Sequence, residues 1–386
     1  MRGVFMKKSL TLLTAVLVGA SLFTGCKKED SGDTIKVGLN YELSGQVATY
    51  GRSLVEGIEL AFEEINNNGG VLDKKIEAVK MDNKSDTAES ANITTKLATK
   101  EKVVLILGAA TSGNTKAAAP MANKYKVPLV SASATADDVT VDKDGKVRDY
   151  IFKTCFSDSF QGVIMAKFAG EELAAKKAAM LVDTTSDYSK GLADSFKKNY
   201  TGQIVAEEAY KSKDTDFKAV LTNIKATNPD VLFVPGYYEE VGLIIKQARE
   251  LGIEAPVLGG DGYDSPKLLE LAGKDALNKV YYTNHYSSQD TSEEVTKFKE
   301  AFKAKYNKEP DAFNALGYDL GYLAVDAIKR AGKADAEAIK EALAATKDFK
   351  AVTGTLTMDE QHNPVKAITI LEVKNGEITF LEKLEP

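Results

Sequence analysis

The chain has 386 residues, of which 44% are hydrophobic and 27% charged, with a formal net charge of −6. This is the composition of an ordinary globular protein, and its acidic balance argues against nucleic acid as a partner. The length beyond the first 33 residues, roughly 350, predicts two domains.

Residues 1–25 have the features of an export signal: a basic start precedes an apolar stretch that is short for a membrane span. The sequence LFTGC then resembles the bacterial lipobox, whose cysteine, here Cys26, is lipidated. A free cysteine after an ordinary signal is the alternative. We expect an exported protein, lipid-anchored to the cell membrane and facing the periplasm or the cell exterior, with 26–33 as a polar tether. Lipidation would leave Cys155 without a disulfide partner, as a buried, inert thiol.

The exported part begins with a strand, TIKVGLN (34–40), followed by a segment in which Leu54, Ile58 and Phe62 recur at helical spacing. Strands and helices continue to alternate as far as VPLVSA (127–132). Strand–helix–strand units with almost continuously apolar strands predict a parallel sheet that is covered on both faces.

A second series of the same kind runs from AAMLVD (178–183) to KVYYTNHY (279–286). Two long helices and a β-rich tail follow. The predicted fold class is therefore α/β, with two doubly wound parallel-sheet lobes. In such sheets ligands bind at the carboxyl ends of the strands.

Two strand ends of the first series carry hydroxyl side chains. ILGAATSGNT (106–115) places Ser112 at the start of a helix, and VSASATADD (130–138) places Thr135 after a strand, with Asp138 at capping-box spacing. Both hydroxyls could simply cap helices. A helix start also suits a carboxylate, because it offers unpaired N–H groups and a partial positive charge. The flanking alanines favour a carboxylate cradle, since they leave the backbone accessible to a ligand.

The second series has complementary strand ends. Asp261 follows a strand between glycines, where it is either a turn residue or a partner for an ammonium group. Tyr188 and Tyr237 also follow strands and are suited to form pocket walls.

The sequence gives little support for catalysis. His285 and His362 are expected outside the strand-end clusters, with no nucleophile motif beside them. There is no metal-ligand spacing, P-loop or dinucleotide fingerprint. We therefore predict binding without chemistry: not an enzyme, with no cofactor and no metal.

The segment KVGLNYELSGQVATYGRSLVEGIELAFEEINNNGGVLDKKIE (36–77) resembles the opening of the branched-chain amino-acid (Leu/Ile/Val) substrate-binding proteins of ABC transporters. FSDSFQG, DYSKGLADSF, PGYYEEVGLIIKQARELG and TMDEQHNP follow in the family's order, so the resemblance runs from about residue 34 to the end. It implies the periplasmic-binding-protein type I (Venus-flytrap) fold. Lobe 1 would comprise 34–155 and 284–366, and lobe 2 would comprise 156–283 and 367–386, with three crossings near 154–157, 283–286 and 365–368.

The resemblance also implies a ligand site between the lobes. Ser112 and Thr135 match hydroxyls on the ligand α-carboxylate, and Asp261 matches the acidic residue on the α-ammonium, with help from the Ser133 carbonyl. The other implied contacts are the backbone of Ala110 and Ser133, an aromatic wall and one further side chain: Tyr50, Tyr188, Tyr237 and Phe313.

At four positions the sequence departs from the family pattern. Asp261 replaces Glu, Ala110 replaces Leu, Ser133 replaces Ala, and Tyr263 stands where a small apolar residue is commoner. The smaller Ala110 enlarges one wall, while Ser133 and Tyr263 add polarity. The matching residues support an amino-acid backbone cradle, and these departures leave the preference for a branched aliphatic side chain open.

We therefore expect a monomeric receptor that captures a free L-amino acid, with branched-chain or aliphatic side chains favoured, and delivers it to an ABC permease. One alternative is a binder of another small polar ligand on the same fold, such as an amide, urea or an aromatic acid. Another is a ligand sensor for a membrane partner.

Overall fold

A computed structural model describes residues 34–385 of the chain. The predicted export signal, Cys26 and the tether lie outside the described residues. Among those described, no helix combines the length and the apolar character needed to cross a membrane.

The first half of the chain forms a five-stranded parallel sheet in the order β2-β1-β3-β4-β5. Leu105 and Leu107 pack into one hydrophobic core, whereas Ile106 packs into another on the opposite face. This alternation explains why the strand is apolar throughout, as a sheet covered on both faces requires. The strands and helices are β1 (Thr34–Tyr41), α1 (Ala48–Asn67), β2 (Lys75–Asp82), α2 (Thr87–Lys96), β3 (Leu105–Gly108), α3 (Ser112–Tyr125), β4 (Leu129–Ser131) and β5 (Ile151–Lys153).

The second half contributes a larger sheet and several helices. The elements in chain order are α4 (Asp158–Lys167), β6 (Lys177–Asp183), α5 (Asp187–Asn199), β7 (Gln203–Tyr210), α6 (Lys218–Ala226), β8 (Val231–Phe233), α7 (Tyr238–Glu250), β9 (Val257–Gly259), α8 (Pro266–Ala272), β10 (Val280–Asn284), α9 (Glu293–Tyr306), α10 (Ala312–Ala331), α11 (Ala336–Ala344), β11 (Phe349–Ala351), β12 (Gly354–Met358), β13 (Pro364–Val365), β14 (Ile368–Lys374) and β15 (Glu377–Leu384). The seven-stranded sheet has the order β15-β14-β10-β9-β8-β6-β7, and β11, β12 and β13 form a small separate sheet.

The second sheet is mixed, although the strand pattern predicts a parallel one. β14 runs antiparallel to both β10 and β15. Asn375 and Gly376, which join β14 to β15, both have positive φ, at 52° and 74°. A two-residue turn of this kind makes a hairpin, and a hairpin can only pair its strands antiparallel.

The chain passes between the two large sheets three times: after β5, after β10 and before β14. We refer to the part around the first sheet as lobe 1 and the part around the second sheet as lobe 2. Their exact boundaries at residues 155, 284 and 366 remain a prediction. The fold is the periplasmic-binding-protein type I arrangement of two α/β lobes.

The two lobes are in contact along the cleft between them. Thr49 and Ser265 share a hydroxyl hydrogen bond of 3.1 Å, and the Ser212 hydroxyl donates to Gln46 Oε1 at 2.7 Å. Lys116 of α3 lies 2.9 Å from Asp187 of α5. The structure is therefore a closed form, in which the strand ends of one lobe face those of the other.

Helices α1 and α10 pack closely in lobe 1 because glycines lie at their crossing. A Cβ atom at Gly57 would lie 2.1 Å from the Asn314 carbonyl oxygen, and one at Gly317 would lie 2.1 Å from the Leu54 carbonyl oxygen. The obstacle is backbone in both cases, so a side chain can be accommodated only by moving a helix.

Gly57→Ala is therefore expected to lower the free energy of unfolding by about 1–3 kcal/mol, even though alanine is the better helix former by about 1 kcal/mol. Chemical denaturation measures the change. Gly113→Ala is the matched control, since its Cβ would meet only Thr87 Cγ2, at 3.9 Å. Equal stability of the two variants would contradict this account of the helix crossing.

Candidate functional site

A small cavity lies between the lobes where the strand ends of both sheets meet. Lobe 1 and lobe 2 both contribute to its wall, which consists of Tyr50, Ala110, Thr111, Ser133, Phe313, Tyr188, Tyr237, Asp261 and Gly262. Seven of these positions carry sequence-based ligand predictions; Thr111 and Gly262 do not. That the seven contact a ligand stays a prediction.

Aromatic rings from both lobes form most of the wall. Tyr188 stacks on Tyr237 with ring centroids 5.0 Å apart, and Tyr50 stacks on Phe313 at 4.3 Å. Tyr50 also meets Tyr237 edge-on at 5.7 Å, which joins the two stacks across the cleft. Paired rings of this kind give a rigid apolar surface.

Two of the tyrosine hydroxyls bond to the backbone of Gly262, Tyr50 across the lobes and Tyr188 within lobe 2. The Tyr50 hydroxyl donates to the Gly262 carbonyl and accepts from the Tyr238 N–H at 3.3 Å. The Tyr188 hydroxyl accepts from the Gly262 N–H at 3.1 Å. The rings therefore present their faces and edges to the cavity while these hydroxyls bond to backbone.

Asp261 brings a buried carboxylate to this wall, with only 3% of the residue exposed. Gln161 Nε2 donates to Oδ1 at 3.1 Å, and His285 Nε2 lies 3.3 Å from Oδ2. Gln161 is itself fixed, because its Oε1 accepts from the Asp261 N–H at 3.1 Å and from the Thr283 hydroxyl at 2.5 Å. The carboxylate is thus held in one orientation by neighbours that carry no full charge at neutral pH.

His285 does not act as a cation for Asp261. Burial lowers the pKa of His285 to about 4, against a smaller opposing effect of Asp261. The imidazole is therefore neutral at pH 7. Within the described range, His285 is also the one basic side chain that lies within ion-pair distance of Asp261. The carboxylate has hydrogen bonds and no cation.

The expectation that His285 lies outside the strand-end clusters is wrong. β9 and β10 are parallel neighbours with Gly259 opposite Tyr282, so the residues just after both strands lie together. Asp261 and His285 occupy those positions. The order of strands in the sheet brings them together, and the sequence alone does not give that order.

Glu42 is a second buried carboxylate that sequence reasoning missed. Its Oε2 accepts from the Ala110 N–H at 2.9 Å, and its Oε1 accepts from the Thr111 N–H at 3.1 Å and the Thr111 hydroxyl at 2.9 Å. Asn114 Nδ2 donates to the same oxygen at 2.7 Å. The strand register explains the contact, since Asn40 pairs with Gly108 and the residues two positions later then meet.

Glu42 therefore occupies part of the anion cradle predicted at the start of α3. The N–H groups of Ala110 and Thr111 are already bonded to it, so a ligand carboxylate must use other donors. Ser112 and Thr135 are the remaining predicted donors. Both are buried but do not line the cavity directly.

Ser112 and Thr135 differ in their bonding. Ser112 Oγ accepts from the Ala136 N–H at 3.1 Å, which ties the start of α3 to the loop after β4. Thr135 Oγ1 is fully buried and makes no well-aligned hydrogen bond among the described residues, although it lies close enough to the buried Asp158 carboxyl to oppose the rise that burial causes in the pKa of that group. The predicted capping box of Thr135 and Asp138 is wrong, because only a three-residue 3₁₀ turn, Asp137–Val139, follows. Asp138 instead pairs with Lys116 at 2.5 Å.

Tyr263 is a third predicted site residue that does not line this cavity. Its hydroxyl donates to the Val234 carbonyl at 2.8 Å, so the ring packs within lobe 2 and lines a different cavity. The 3₁₀ turn Asp261–Tyr263 causes this, because it directs Asp261 toward the cleft and Tyr263 away from it. Cys155 is buried, as predicted, and burial raises its pKa to about 12.

Residues 34–377 match the sequence model of the periplasmic binding protein family. The chain belongs to this family. It is 30% identical over 356 residues to the Leu/Ile/Val-binding protein BraC3 of Rhizobium johnstonii. The aligned region covers 91% of this chain and 94% of that protein.

Solved structures agree with the family assignment. The branched-chain amino acid transporter substrate-binding protein LivJ of Streptococcus pneumoniae, in complex with isoleucine, is 44% identical with a TM-score of 0.87, covering 92% of this chain and 100% of that one. The leucine-binding protein LivK of Thermotoga maritima is 37% identical with a TM-score of 0.86, covering 91% and 99%. A Rhodopseudomonas palustris BisB5 solute-binding protein in complex with 3,4-dihydroxybenzoic acid is 27% identical with a TM-score of 0.82, covering 92% and 98%.

Glu42→Gln is expected to lower the free energy of unfolding by about 2–4 kcal/mol, because an amide N–H₂ would face backbone N–H donors that need an acceptor. Denaturation with and without the substitution measures the effect. Glu172→Gln, on an exposed side chain, is the control and should change stability by less than about 0.5 kcal/mol. If Glu42→Gln is as mild as the control, Glu42 is not the structural anion of the α3 start.

Proposed function

We propose that this protein is an extracytoplasmic receptor that captures a free L-amino acid between its lobes and delivers it to an ABC permease. Branched-chain and other aliphatic side chains are the preferred ones. The observation that carries the proposal is the buried Asp261 carboxylate, which faces the interlobe cavity and has only uncharged partners among the described residues. The family membership and the likeness to isoleucine- and leucine-binding proteins support it.

The α-ammonium group of the ligand binds Asp261 in this proposal. A carboxylate removed from water costs several kcal/mol unless it is paired, and the neutral donors Gln161 and His285 offset only part of that cost. An ammonium offsets the remainder through charge-assisted hydrogen bonds. The Ser133 backbone carbonyl is a further acceptor for the same group.

The α-carboxylate binds on lobe 1, at the hydroxyls of Ser112 and Thr135. Thr135 Oγ1 makes no well-aligned hydrogen bond among the described residues, and a buried hydroxyl of this kind gains by bonding to a ligand. The start of α3 adds a partial positive charge. Glu42 already accepts from the Ala110 and Thr111 N–H groups. The ligand carboxylate therefore uses the donors that come later in the chain, at Ser112 and Thr135.

The aliphatic side chain packs against the rings of Tyr50, Tyr188, Tyr237 and Phe313. The faces of these rings carry no polar atoms, so they suit an apolar group. They also exclude water, which strengthens the charged contacts at the other end of the ligand. The ligand therefore touches both lobes. It stabilises the closed form relative to the open form by the difference between its binding free energies for the two forms.

The mature protein acts as a monomer at the membrane surface, held by a lipid on Cys26, in this proposal. The lipobox-like LFTGC supports the anchor.

The test is calorimetric titration of the soluble domain, with Cys26 replaced and bound solute removed by unfolding and refolding. Leucine, isoleucine and valine should bind saturably, and 4-methylpentanoate, which is leucine without its amino group, should bind far more weakly. Asp261→Asn keeps the shape of the side chain and is expected to lower leucine affinity by roughly 10- to 150-fold, the equivalent of about 1.5–3 kcal/mol.

The two ligands and two proteins form a cycle that isolates the ammonium contact. Asp261→Asn should reduce leucine binding while leaving 4-methylpentanoate binding unchanged or improved. A variant that binds leucine as tightly as the original protein would reject Asp261 as the ammonium partner. Failure of folded protein to bind any of the twenty L-amino acids would reject the function itself.

An aromatic acid is the second candidate ligand, favoured by the two ring stacks of the cavity and by the relative that holds 3,4-dihydroxybenzoic acid. Such a ligand lacks an ammonium and would leave Asp261 unpaired. Titration with benzoate separates the two ideas, because Asp261→Asn removes a negative charge and should tighten benzoate binding while it weakens leucine binding.

A further inference from the structure

A larger cavity, of about 650 Å³, lies between the lobes and shares no lining residue with the candidate amino-acid site. Helix α1 and residues 308–314 form its lobe 1 side, while residues 263–269, β10 and β14 form its lobe 2 side. Much of its surface is apolar, supplied by residues such as Leu268, Leu277, Leu371 and Val373.

Two acidic side chains from opposite lobes lie next to each other in this cavity. Asp264 of lobe 2 accepts from Asn284 Nδ2 at 2.7 Å and from the Ala312 N–H of lobe 1 at 3.1 Å. Asp311, the residue before Ala312, accepts from the Asn314 N–H at 2.8 Å and the Ser53 hydroxyl at 2.7 Å. All four donors are uncharged groups.

No basic side chain of the described residues forms an ion pair with either carboxylate. Two basic side chains line the cavity: Lys308 pairs with Glu56 at 2.8 Å, and Arg52 Nε donates to the Leu43 carbonyl at 2.8 Å. Burial, followed by the charge of Asp264, raises the pKa of Asp311 to about 7. Burial also raises the pKa of Asp264. Lys308 lowers the pKa of Asp311 by a smaller amount, so both rises are the response of buried carboxylates without a full ion pair.

Tyr286 is an independent sign of a missing ligand. Only 5% of the residue is exposed, it lines the cavity, and its hydroxyl has no hydrogen-bond partner among the described residues. Burial, followed by the charges of Asp264, Glu309 and Asp311, raises the pKa of Tyr286. The unpaired hydroxyl and the two carboxylates thus belong to side chains that line the same cavity.

We propose that this cavity is a second binding site, for an organic ammonium ion that carries an apolar chain. The ammonium has three N–H donors, which match one oxygen each of Asp264, Asp311 and Tyr286. The chain lies against the leucine and valine side chains. An anion would meet two carboxylates, and a neutral alcohol would leave both of them without a cation.

The site belongs to the interface between the lobes, because Asp264 and Asp311 lie on different lobes. A bound ammonium contacts both of them and stabilises the closed form in addition to any solute in the main cleft. The proposal does not depend on which solute the main cleft takes, since the two cavities have separate linings.

The experiment is calorimetric titration of the soluble domain with n-hexylammonium, with 1-hexanol and hexanoate as probes of the same chain length. Two backgrounds keep the result separate from the main site: the original protein with saturating leucine, and Asp261→Asn without leucine. Saturable hexylammonium binding in both backgrounds, with much weaker binding of hexanol and hexanoate, is the expected result. In Asp261→Asn the main site has lost its own carboxylate. Absence of hexylammonium binding to this variant would overturn the proposal, whether or not the original protein binds leucine.

Two variants locate the site. Asp311→Asn keeps a helix-capping side chain at the start of α10 and should weaken hexylammonium binding at least about tenfold. Tyr286→Phe removes only the unpaired hydroxyl, so it should weaken binding severalfold without lowering the midpoint of denaturation. Asp194→Asn, an exposed position on α5, is the charge-matched control and should bind as the original protein does. Unchanged affinity in both Asp311→Asn and Tyr286→Phe would overturn the proposal.

Discussion

A carboxylate buried between two lobes without a cation beside it is the constraint on which this binding site depends. Asp261 receives hydrogen bonds from Gln161 and His285, and burial keeps His285 neutral at pH 7. Such an arrangement fixes the orientation of the carboxylate and leaves its charge unbalanced. A cation that enters the cavity therefore gains more than it would at an exposed carboxylate, because the surrounding rings exclude water and weaken screening. In the proposed function, the solute supplies the positive charge that the closed form lacks beside Asp261.

Glu42 plays the opposite role on lobe 1. Its carboxylate already satisfies the first donors at the start of α3, so this part of the lobe is complete before any ligand arrives. What remains for the solute is a hydroxyl at Ser112 and an unpartnered one at Thr135. The two lobes thus differ in what they lack, one a cation and the other a partner for buried hydroxyls. A zwitterion is the small solute that meets both needs at once.

The repeating pattern of strands and helices was enough to predict the two-lobed α/β fold, and the position of Asp261, Tyr188 and Tyr237 after strands was enough to place them at the cleft. Glu42 and His285 were missed because each acts across neighbouring strands, and pairings such as Asn40 with Gly108 are properties of the sheet order. Tyr263 was misplaced for a local reason, since the short turn after β9 sends residues two apart in opposite directions. The antiparallel edge formed by β14 and β15 depends on one tight turn within the β-rich tail.

Lobe closure measured by spin labels tests the central claim most directly. Nitroxides at Lys84→Cys and Lys211→Cys, both exposed near the cleft rim on opposite lobes, report the separation of the lobes, and the buried Cys155 does not interfere. The account predicts that leucine shifts the distance distribution to its shortest population, that 4-methylpentanoate at the same concentration does not, and that Asp261→Asn needs roughly 10- to 150-fold more leucine for the same shift. Equal closure by leucine and 4-methylpentanoate would contradict it, because closure would then be independent of the charge that Asp261 lacks.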